Sequence, residues 1–131
     1  MLLKIWLQMT LYIIMTNINF QCTVSNPYFE RNKKKYLVLK LSDKDVKKVN
    51  SEHVKTSRFI QNQKIKNPLE GNLLEVKVPF RYNKISCKVS GDKTIQELEK
   101  DDMVDVTLEY CGVWNIGEWS GFAWKIVELI K

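Results

Sequence analysis

Apolar side chains recur at every second position in five separate stretches of this chain, and that period leaves few folds open. Ile18, Phe20, Cys22 and Val24 alternate with polar neighbours, and Leu37, Leu39 and Leu41 with Tyr36, Val38 and Lys40. The same rhythm returns at Leu74, Val76, Val78 and Phe80, at Ile85, Cys87 and Val89, and at Val104, Val106, Leu108 and Tyr110. Successive strand residues point to opposite faces, so period two marks antiparallel strands buried on one side. Residues 122–130 are apolar on both parities apart from Lys125 and Glu128, which suits a strand covered on both sides. A chain of 131 residues can bury one core but not a catalytic and a recognition domain together.

The connections narrow the choice. "RYNK" at 81–84 is short enough for a hairpin, and "GDKTIQELEKDD" starts as a turn and then offers Ile95 and Leu98 at helical spacing. Residues 42–67 are basic and carry few large apolar side chains, so they are expected as a long mobile insertion of the kind that is functional or disordered. The order of strands and the one short helix before the penultimate strand predict an all-β chain with minor α content: a small five- to six-stranded antiparallel barrel of the oligonucleotide-binding (OB) type. A β-sandwich is the alternative architecture.

Clean alternation starts only after Met15, a second possible start. Residues 1–14, "MLLKIWLQMTLYII", are therefore expected to be a leader or an over-extended start outside the fold, with residues 15–131 as a single domain. Gln8 and Thr10 interrupt the apolar run, no small-residue cleavage site follows, and the run is too short to span a bilayer. A secretory or anchoring role for this leader is the rival reading. Three cysteines and one histidine do not supply a structural zinc site, and reduced thiols inside a cell are the expectation. No cofactor is implied.

The net charge of +6 favours a polyanionic partner, and its distribution sharpens the point. Between residues 31 and 67 twelve basic side chains face three acids, whereas residues 92–109 hold seven acids and two lysines. If the aliphatic parity points inward, the opposite parity displays Tyr36 and Lys40, then Lys77 and Arg81, then Lys84 and Lys88 from the following hairpin strand, a basic sheet face. Tyr82 tips that hairpin, and Lys55 and Arg58 lie in the basic insertion, so these join the candidate set.

Residues 109–125, "EYCGVWNIGEWSGFAWK", interleave Tyr110, Trp114, Trp119, Phe122 and Trp124 with three glycines. Tyr110, Phe122 and Trp124 fall on strand parities and are expected in the core. Trp114 and Trp119, bracketed by Gly112, Gly117 and Gly121, are expected in a glycine-rich loop, where exposed indoles would let bases stack.

The stretch at 78–126, "VPFRYNKISCKVSGDKTIQELEKDDMVDVTLEYCGVWNIGEWSGFAWKI", resembles the C-terminal half of the OB-fold single-stranded DNA-binding proteins of tailed phages and large DNA viruses. The resemblance implies a non-catalytic protein that coats single-stranded DNA in viral replication, recombination or repair through Arg81, Lys84, Trp114 and Trp119. It also implies an intracellular setting in an infected host cell, with replication proteins as further partners and no membrane. Such proteins often end in an acidic tail, whereas this chain ends in "VELIK". Nothing in the residues reads a 2′-hydroxyl, so RNA stays beside DNA as a ligand. An enzyme is not expected, because His53 has no nucleophile and orienting group placed with it. The competing function is a protein-interaction β-domain, secreted or membrane-tethered if the leader is real.

Overall fold

The alternation in sequence becomes an alternation in burial. In the computed structural model, which describes residues 16–82 and 84–131, Phe20, Cys22, Val24, Leu37, Leu39, Leu74, Val76, Val78, Val104, Val106, Leu108 and Tyr110 all point into one core. The leader at 1–14 lies outside the described residues. The strands that carry this core are β1 (Thr16–Arg31), β2 (Lys34–Lys40), β5 (Leu73–Val78), β9 (Met103–Ile116) and β10 (Trp119–Ile130).

The first strand is long enough to serve two neighbours. Its first half, from Thr16 to Thr23, pairs antiparallel with β9, and its second half pairs with β2 across register irregularities between Val24 and Phe29. β2 pairs antiparallel with β5, β9 with β10, and β5 meets β10 in parallel at Lys77 and Lys125, which closes the ring. The order β1-β2-β5-β10-β9 and back to β1 is a closed five-stranded barrel of the OB type. Closure removes the exposed edges that an open sheet of this size would present.

Two short elements plug the barrel. The helix expected before the penultimate strand is a single 3-10 turn, Ile95–Glu97, where Glu97 Oε1 accepts from the Thr94 amide at 3.1 Å and Ile95 and Leu98 are buried. The α-helix α1 (Asp43–Thr56) arises where the sequence suggested a long polar loop. Ser42 caps it by accepting from the Asp45 amide at 3.3 Å. Its buried stripe is Asp45, Val49 and His53, one residue per turn, and two of these three are polar. That is why hydrophobic periodicity did not disclose it.

The rest of that segment is ordered against the barrel too. After a 3-10 turn at Ser57–Phe59, β3 (Lys64–Lys66) adds in parallel to the start of β10, and β4 (Leu69–Glu70) pairs with β5. Beyond β5 the expected continuity breaks at Pro79. Phe80 does not extend the inward row and is 41 % exposed in β6 (Phe80–Arg81), which pairs with β7 (Lys84–Ile85) in a sheet of its own among the described residues. β8 (Lys88–Ser90) runs parallel to the end of β10. Lys84 and Lys88 therefore do not stand beside Lys77 on one sheet face, because their strands are not the hairpin partner of β5.

Candidate nucleic-acid interface

The β9–β10 hairpin decides where its aromatic residues go. The turn is two residues, Gly117 and Glu118, with Gly117 at φ 58° in the first central position, as primed hairpin turns require. At Gly112 (φ 93°) the register slips: Tyr110 pairs with Trp124 and Gly112 with Ala123. This bulge shifts the strand's phase by one residue. Tyr110 still faces the core, but after the bulge Val113 takes the inward parity opposite Phe122, and Trp114 turns outward.

Trp114 and Trp119 are thus on strands, not in a glycine loop, and they share the outer face. Trp119 pairs with Ile116 on one side and Lys64 on the other, and Trp114 with Gly121, which pairs with Lys66. A Cβ at Gly121 would lie 2.5 Å from the Trp114 ring and 2.7 Å from the Lys66 carbonyl oxygen, so the indole lies flat over a position only glycine can fill. Trp119 is 46 % exposed, with Lys64 Nζ 5.8 Å from its ring centroid and 2.9 Å from Glu118. Trp114 is half-buried by comparison.

The inner face of the same arm is sealed by polar contacts. Asn115 accepts from the Gln61 amide at 3.0 Å and donates to the Phe59 carbonyl at 3.1 Å, and the Ser120 hydroxyl donates to it. Ser120 accepts from the Asn62 amide at 3.0 Å, while the Asn62 side chain donates to the Trp119 carbonyl at 2.8 Å. Behind this lies a packed aromatic group. His53 stacks on Phe122 at 4.0 Å with rings 7° from parallel, and its Nε2 accepts from Trp124 Nε1 at 3.0 Å. The proton is therefore on Nδ1, which is buried without a partner. Burial pushes His53 down to about 4, so it is neutral at physiological pH. Tyr110 bonds Thr56 at 2.7 Å, and burial raises its phenol to about 12.

Around the barrel from this arm, the outer parity continues through Lys125 and Lys77, which pair across the β5–β10 seam, to Tyr36, which pairs with Lys77 across β2 and β5. Lys125 is held by Glu109 at 3.1 Å. Phe29 stacks beside Tyr36 at 5.8 Å, and the Arg31 guanidinium lies 4.6 Å from the Tyr36 ring centroid while pairing with Glu75. The adjoining β1–β2 turn holds Asn32 and Lys33 in left-handed backbone, at φ 52° and 64°, and presents Lys33 and Lys34 to solvent. Among the described residues Lys33, Lys34, Lys40, Lys66 and Lys77 enter no ion pair.

Of the residues singled out in sequence, the structure puts Tyr36, Lys77, Trp114 and Trp119 on this outer surface, while Lys40 shares the outward parity of β2 at its other end, opposite Thr23 and Leu73. Lys55 and Arg58 are elsewhere, Lys55 paired with Glu52 at 3.5 Å on α1 and Arg58 over the Phe59 ring at 5.0 Å. Arg81, Tyr82 and Lys84 form the separate β6–β7 hairpin, where Tyr82 is 90 % exposed, and Lys88 stands on β8. That hairpin is tethered through Lys35, whose Nζ lies 5.2 Å from the Phe80 ring and 5.9 Å from that of Tyr28. Phe29, Arg31, Lys66 and Lys125 were missed. The charge run that begins at Arg31 held the clue for Arg31 and Lys66, but Phe29 and Lys125 carried no signal apart from pairing.

Among the described residues no three His, Cys, Asp or Glu side chains gather as a metal site, and no helix is long and apolar enough to cross a membrane. All three cysteines are free, and burial, with Asp45 and Asp105 nearby, pushes Cys22 up to about 12, which keeps its thiol protonated. No family model, no curated protein and no solved structure matches the chain.

Proposed function

We propose that this protein binds single-stranded nucleic acid, DNA first among the candidates, along the outer surface that runs from Trp119 and Trp114 past Lys66, Lys125 and Lys77 to Tyr36 and the β1–β2 turn, and that it does so without catalysis. The observation that carries the reading is the bulge at Gly112: it turns Trp114 outward beside Trp119, onto the same barrel exterior as Lys66 and Lys77. Flat aromatic faces accept any base, and cations between them follow the backbone, so the arrangement suits a sequence-tolerant ligand with unstacked bases. On OB barrels the equivalent strands and their flanking turns form the usual binding face. A role in replication, recombination or repair, viral replication included, follows from that ligand and from the resemblance of residues 78–126.

Titration with oligo-dT, followed by tryptophan fluorescence, tests this. Quenching is expected, with tighter binding to single strands than to duplex of equal length and a log–log salt slope of about −0.7 for each phosphate neutralised. Equal affinity for duplex, or no response to salt, would reject it.

A further inference from the structure

Arg31 spans three strands of this surface. It leaves β1, passes over the Tyr36 ring of β2 with its guanidinium carbon 4.6 Å from the centroid, and ends on the Glu75 carboxylate of β5. The strand between the two partners is thus bridged, and one face of Tyr36 is covered. Phe29 stacks beside the same ring at 5.8 Å. Glu75 is the one acid of β5, two residues before Lys77, a position where an acid opposes a polyanion, so its presence calls for a reason. Arg31 and Glu75 are both partly exposed, which keeps their ion pair weak enough to exchange.

Resting on the function proposed above, we infer that Arg31 is a latch over a base seat on Tyr36. In the free protein Glu75 holds the guanidinium across the ring. An arriving phosphate takes the guanidinium from the carboxylate, since a planar donor fork fits either anion, and the uncovered ring takes a base. The exchange makes binding at this end of the track conditional on a ligand that brings phosphate and base together, and it disfavours simple anions, which offer nothing to the ring.

A double-mutant cycle on oligo-dT affinity across a salt series tests the latch, with thermal melts run in parallel to separate folding from binding. Glu75→Gln should tighten binding about three- to fivefold by freeing Arg31. The salt slope should change little, because Arg31 neutralises the same phosphate in both proteins once the strand is bound. Arg31→Ala should cost several-fold more affinity in the Glu75→Gln background than in the wild type. Tyr36→Ala in that background should weaken binding at least about fivefold. If Glu75→Gln tightens binding equally with and without Arg31, Glu75 is only a repelling charge and the latch is overturned while the broader function stands. A negligible Tyr36→Ala effect overturns the base seat. No binding by the wild type or by any variant overturns the latch together with the function it rests on.

Discussion

Trp124 and Trp119 are carried by one strand, β10, and live in opposite surroundings. Trp124 is 2 % exposed, touches Tyr110 and His53, and has its indole N–H bonded. Trp119 is 46 % exposed and has a lysine over its ring. The same contrast divides the other aromatic residues: Tyr110 and Phe122 interlock with His53 of α1, while Trp114, Tyr36 and Phe29 lie on the outside among cations. Aromatic content alone therefore does not separate a core from an outer surface. What separates them here is strand phase, set by plain alternation on β10 and by the bulge on β9, and whether a polar partner has been provided from inside the molecule.

The largest expected effect is on the inner group. Trp124→Ala removes a buried ring and leaves His53 Nε2 without its donor, so a loss of about 3 to 5 kcal/mol in unfolding free energy is expected in denaturant titrations. A loss of nucleic-acid affinity at unchanged stability would break the division between inner and outer sets. Next is pH. Burial pushes His53 down to about 4 in the fold from its ordinary 6.5, so between those values the unfolded chain binds more protons. Stability should hold above about pH 6.5 and fall as pH drops toward 4, by at most about 3 kcal/mol from this group. His53→Gln should flatten that limb in melts taken at successive pH values.

How much of this was legible follows the same line. Where one face is buried and the other wet, as at Leu37 and Leu39 or Val104 to Leu108, the period is written in the residues and the barrel could be read from it. Three glycines near Trp114 and Trp119 read as a loop, yet they serve three separate ends: a bulge at Gly112, a turn at Gly117 and a close approach at Gly121. Composition cannot distinguish these, because each is defined by what lies across the strand. Helix α1 escaped for another reason: its buried residues are an aspartate, a valine and a histidine, and the barrel end that welcomes them is assembled from distant strands. The grouping of Lys84 and Lys88 with Lys77 assumed that consecutive strands pair, and Pro79 ended that.

The outer group should show smaller effects, and in binding instead of stability. Trp119→Ala is expected to weaken oligo-dT binding by about 1 to 3 kcal/mol with a change in stability within about 0.5 kcal/mol. Trp114→Ala should affect both, since its ring also covers Gly121; equal behaviour of the two indoles in parallel melts and titrations would erase the distinction drawn between them. Smallest of all, Lys77→Ala should lower the magnitude of the salt slope by about 0.7. Lys55→Ala, on α1 and paired with Glu52, should leave that slope unchanged in the same titrations.

The polar seal beneath the arm has a consequence for entropy. Asn115, Ser120 and Asn62 fix β9 and β10 to the chain that follows α1, so the outer face of that arm is already in shape in the free molecule. Ordering a side chain or a loop on association costs about 0.5 to 1.5 kcal/mol for each rotamer-rich group immobilised. On this surface much of that loss was incurred when the protein folded, and it is not incurred again by whatever comes to lie on Trp114 and Trp119.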